Sequence, residues 1–104
     1  MVDFRLFAAA SFAALLTSSA AFASAELAKS KNCVACHSVE RKMIGPPYKA
    51  MAERYGKDES AIKVLSEKIV KGGSGNWGQM PMPPQSGVSP EEAEALAKWI
   101  LSHQ

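Results

Sequence analysis

Two cysteines three positions apart, with a histidine directly after the second, are the residues here best equipped for chemistry: Cys33-Val34-Ala35-Cys36-His37. Two thiols at this spacing can add across the two vinyl groups of a haem, and the adjacent imidazole then lies beneath the iron. Each part of the pentapeptide has a task, so one covalently attached c-type haem is the expected cofactor. Cys33 and Cys36 would be its thioether anchors and His37 its proximal iron ligand. Other uses of a cysteine pair fit less well. A thioredoxin-like dithiol needs a βαβ setting, a zinc site needs two further ligands with only His103 left to offer one, and a structural disulfide leaves His37 without a role.

If one ring nitrogen of His37 binds the metal, the other N–H needs an acceptor that fixes the tautomer and tunes the imidazole. The backbone carbonyl of Pro46, in the breaker Ile44-Gly45-Pro46-Pro47, is the candidate; as a plain turn before a helix the breaker needs no such role. The sixth iron position separates an electron carrier from a haem that binds small molecules, because a thioether closes the iron. Met80 and Met82 are both placed to supply it. Met82 lies between Pro81 and Pro83, which hold its backbone extended, so it has little entropy left to lose on binding and is favoured. Spacing alone leaves Met80 open. Met43 follows the motif too closely to wrap around a haem edge, Met51 falls at core spacing, and His103 reads as a solvated helix end. Trp77 either donates its indole N–H to a haem propionate or packs.

The elements that must position these groups read as helices. Four helical patterns are separated by turn-rich stretches, with no period-2 alternation long enough for a strand, so the class is all-α. The first, roughly residues 24–32, leads into the cysteine motif. Pro47 is placed to start a second, through Tyr48, Met51 and Tyr55, stopping at Gly56. Asp58 caps a third that presents Ile62, Leu65 and Ile69 and ends at Gly72-Gly73. Ser89, Pro90 and Glu92 form a capping box for the fourth, whose stripe Ala93, Leu96, Trp99 and Ile100 is expected to pack on the first helix. The stretch 72–88 is too long for an ordinary connection, and its Trp and two Met suit a loop folded against a porphyrin.

The 104 residues allow a single domain. Residues 1–25 read as a secretory signal peptide: Arg5, an apolar run from Leu6 to Leu16, then small residues offering cleavage after Ala23 or Ala25. The domain is then 26–104, exported to the periplasm with no lasting membrane association. Twelve Lys+Arg against ten Asp+Glu, less Arg5 and Asp3, leaves eleven against nine, too small an excess to favour nucleic acid as a partner. A core this small gains from a covalent cofactor.

Four segments carry a family resemblance: the Cys33–His37 motif, Gly45-Pro46-Pro47-Tyr48, residues 77–84 from Trp77 through Met82 to Pro84, and residues 96–102 around Trp99. The chain resembles the small monohaem class I bacterial cytochromes c, the c-551/c-552 type. That resemblance implies a class I cytochrome c fold of about four short helices around one haem, and a soluble, monomeric one-electron carrier rather than an enzyme. Its partners would be transient: redox proteins that donate electrons, and a terminal reductase or oxidase. The same resemblance matches Met82 to the axial methionine, His37 to a bond with the Pro46 carbonyl, and Trp77 to a bond with a propionate. Lys68 stands where some relatives have Arg near the propionate, and Gln85 where an Asn sometimes contacts the methionine sulfur. Lys31, Lys42, Lys49 and Lys71 are candidates for a docking face.

Overall fold

The computed structural model describes residues 23–56 and 58–104, so residues 1–22 of the expected signal peptide lie outside the described residues. The elements are α1 (residues 23–30), a 3₁₀ turn Cys33–Ala35, α2 (Tyr48–Tyr55), α3 (Glu59–Lys71) and α4 (Pro90–Leu101). Among the described residues the only extended pairing is an isolated antiparallel bridge between Gly73 and Met82. The all-α architecture is as the patterns predict.

Local chemistry accounts for the helix ends. The Ser89 side chain accepts the Glu92 N–H at 3.1 Å, and a Glu92 carboxylate oxygen accepts the Ser89 N–H at 3.0 Å, with Pro90 in the first turn. Asp58 accepts the Ala61 N–H at 2.9 Å and so satisfies one orphan donor of α3. Two boundaries differ from expectation. Pro47 is the N-cap, with extended backbone (ψ 149°), so α2 starts one residue later, at Tyr48. The first helix ends at residue 30, because Asn32 adopts the left-handed conformation (φ 64°) that short amide side chains tolerate. That reversal turns the chain into Cys33.

Helix α4 packs across α3 and α2, with Ala93, Leu96, Ala97, Ile100 and Leu101 buried. Ala28 of α1 joins this core with Leu27 packed beside it, so the α4 stripe shares a core with the first helix as well as with α3 and α2. Leu96 is 1% exposed, and burying such a side chain contributes about 1.5–3 kcal/mol. On α3 the buried face is Ala61, Leu65 and Ile69, with Ile62 only half-buried beside it. Trp99 is half-buried as well, because it borders a cleft in addition to the core.

Candidate functional site

That cleft encloses about 1300 Å³, counting its open mouth, and both cysteines, His37, Met80 and Met82 border it. Leu65, Ile69, Leu96 and Ile100 supply apolar wall from α3 and α4. Its walls are mostly apolar and it opens to solvent along one side, which suits a large, flat, apolar group with one edge in water.

The His37 side is built from short-range bonds. The Gly45 N–H donates to the Cys36 carbonyl at 2.8 Å, the Tyr48 N–H to Ser38 at 2.9 Å and the Lys49 N–H to Val39 at 3.0 Å. This folding back places the Pro46 carbonyl 2.8 Å from His37 Nδ1, the pairing expected of the breaker. Gly45 lies flat on the imidazole: a Cβ there would come under 3.0 Å from Nδ1, Cε1 and Nε2, so no larger residue fits while the ring holds its place. Tyr48 stacks with the His37 ring, its centroid 5.7 Å away and its plane tilted by 24°. Tyr48 is 3% exposed and its hydroxyl is buried without a hydrogen-bond partner. Burial, with the Cys33 thiol adding to it, pushes that phenol up to about 12. Cys33 and Cys36 are half-exposed, not joined in a disulfide, and burial, with Cys36 beside it, raises the Cys33 thiol further above its ordinary value.

The Met82 side is braced by α3 and the residues that follow it. The Met82 N–H donates to the Gly73 carbonyl at 2.8 Å and the Gly73 N–H to the Met82 carbonyl at 3.1 Å, while the Gln85 N–H reaches Ile69 at 3.0 Å. Gly72, with φ 73°, makes this approach feasible: a Cβ there would lie 2.5 Å from the Met82 carbonyl oxygen and 2.8 Å from Pro84 N. Met82 is half-buried against the core, whereas Met80 is 68% exposed. Gln85 donates to the Pro83 carbonyl at 2.9 Å, and Lys68, Gln85 and Trp77 all border the cleft.

Three residues behave otherwise than the sequence suggests. His103 is not a solvated helix end: it is half-buried, edge-on to Trp99 at 4.6 Å and 5.6 Å from Tyr48, with Nδ1 3.1 Å from the Ile100 carbonyl. It does not border the cleft. Lys31 is engaged rather than free, donating to the Gly87 carbonyl at 2.7 Å and pairing with Glu92 at 3.5 Å. Arg54 was not singled out, and it reaches from α2 to the loop that carries Trp77. Nothing in its local sequence signals a contact 22 residues away.

Two thiols at the edge of the cleft, an imidazole held by a carbonyl, a thioether on a second strand of chain and a buried hydroxyl without a protein acceptor fit a covalently attached haem. Residues 23–104 match the family model described as cytochrome c. Cytochrome c-552 of Nitrosomonas europaea is 51% identical over 89 residues, 86% of each chain. Cytochrome c-551 of Pseudomonas denitrificans is 48% identical over 77 residues, 74% of this chain and 93% of that one. The crystal structure of wild-type Nitrosomonas europaea cytochrome c552 superposes with a TM-score of 0.74 at 50% identity, covering 77% of this chain and 99% of that one.

Proposed function

This chain belongs to the cytochrome c family, a haem-based electron carrier with covalent haem c, and on that premise we propose a periplasmic one-electron shuttle with His37 and Met82 as axial ligands. When bound, the haem supplies a one-electron couple between ferrous and ferric iron. Cys33 and Cys36 hold it through thioethers. The bond from His37 Nδ1–H to the Pro46 carbonyl at 2.8 Å fixes the tautomer and leaves Nε2 for the metal. Met82 offers a soft sulfur donor, which favours the reduced state and raises the potential.

The observation that carries this reading is the convergence on one cleft of a carbonyl-braced His37 and a Met82 clamped by its pairing with Gly73. Met80, 68% exposed and outside that pairing, is the weaker candidate. Trp77 donates its indole N–H to a propionate. Residues 1–25 are a leader removed on export, leaving 26–104 as a monomeric domain. Its partners are redox proteins, upstream donors and a terminal reductase or oxidase, which dock in small, short-lived interfaces. Lys42, Lys49 and Lys71 are exposed and contribute charge to that surface.

The exported protein tests this directly. Its ferric spectrum is expected to show the weak methionine-to-iron band, and its ferrous form little carbon monoxide binding at neutral pH. Met82→Ala should abolish the band and open the iron to carbon monoxide, while Met80→Ala keeps both properties. The opposite pattern would move the ligand to Met80, and strong carbon monoxide binding by the unmodified protein would replace the carrier reading with a ligand-binding one.

A further inference from the structure

We propose that Arg54, which does not border the cleft, is a positioning residue that holds Trp77 against the cleft from outside. Residues 73–80 are all exposed, and Gly75 N–H to Gly78 carbonyl at 3.1 Å closes a turn within them. Among the described residues, one side chain from the rest of the chain hydrogen-bonds into 74–80: Arg54, whose Nη1 donates to the Asn76 carbonyl at 2.6 Å. The same guanidinium lies over the Trp77 ring, 4.5 Å from its centroid. Tyr55, next along α2, meets Trp77 at 6.3 Å with the rings inclined by 59°.

Arg54 therefore holds backbone and ring at once. A planar cation can present its face to the indole while an edge N–H serves the neighbouring carbonyl, and a lysine ammonium cannot do both in one plane. Trp77 is 38% exposed and borders the cleft, so its angle sets how much of that edge meets water and where its N–H points. Arg54 sits in the last turn of α2, where a cation is favoured by the helix dipole. The inference rests on the reading above that Trp77 faces a haem propionate.

The test uses the haem-loaded protein with Arg54→Gln and Arg54→Lys, both at an exposed position. Solvent exchange of the Trp77 indole N–H, followed by NMR, is expected to accelerate about tenfold in Arg54→Gln, from loss of the ring stack and the charged hydrogen bond together. The reduction potential should fall in Arg54→Gln, and Arg54→Lys should restore it only in part while leaving the indole exchange fast. Unchanged indole exchange in Arg54→Gln, or complete restoration of both quantities by Lys, would overturn the proposal. The methionine-to-iron band, recorded on the same samples, reports the His37 and Met82 reading separately. Its absence from the unsubstituted protein would remove that reading rather than this one.

Discussion

Around His37 the chain holds itself by bonds between residues close in sequence: Gly45 to Cys36, Tyr48 to Ser38, Lys49 to Val39, and the imidazole to Pro46. Around Met82 the pairing with Gly73 is as local, but the other supports come from farther off: Ile69 within α3 holds Gln85, and Lys31 reaches 56 residues to the Gly87 carbonyl. The first side is specified within residues 36–49, prolyl breaker included. The second exists only once α3 and α4 have formed and packed. A cleft assembled from two such walls should lose its Met82 wall first under any stress, with the His37 wall intact until global unfolding.

Gly72→Ala is the strongest way to probe that difference. Left-handed backbone costs an alanine about 1–2 kcal/mol and the crowded Cβ about 1–3 kcal/mol more, so a loss of about 3 kcal/mol is expected in denaturant titration. The methionine-to-iron band should weaken in the still-folded protein. Gly45→Ala presses the His37 ring instead and should cost about 2 kcal/mol, with the band retained while the chain is folded. If Gly45→Ala loosened Met82 as much as Gly72→Ala does, the two walls would not be separable.

Acid makes the smallest and most selective test. Asp58 and Glu92 cap the helices on either side of the 72–88 loop, and hydrogen bonds from Ala61 and Ser89 respectively hold both carboxyls below their ordinary values. Lowered native values mean that the stability these caps contribute is complete above the ordinary values of 3.8 and 4.5 and is lost as pH falls through the native ones. Thermal midpoints should thus be level from about pH 5 to 8 and fall below roughly pH 4. Glu92→Gln preserves a capping box and should flatten part of that acid slope. Loss of the His37-side bonds before the methionine band would reverse the comparison.

What the sequence displayed follows the same division. The Cys33–His37 motif, the Pro46 acceptor, Asp58, and the Ser89-Pro90-Glu92 start are short-range chemistry, and the bonds expected of Pro46, Asp58 and the capping box are all made. Met82 is favoured over Met80 by its flanking prolines; in the structure Met82 is half-buried and Met80 exposed. What could not be read was which atoms meet in contacts that no local motif announces: the pairing of Gly73 with Met82, the contact of Gly45 with the ring, the reach of Lys31, and the packing of His103 on Trp99. A glycine does not announce which atom approaches it. An arginine in a last helical turn looks solvated, whether or not it covers a tryptophan.

Between the paired Gly73 and Met82 lie only residues 74–81, and that brevity has a kinetic meaning. A loop of about ten residues closes in roughly 10–100 ns. Each time the pairing opens, it is remade many thousands of times faster than a complex with a millisecond residence time comes apart. A wall that yields first is also one that heals within a single encounter.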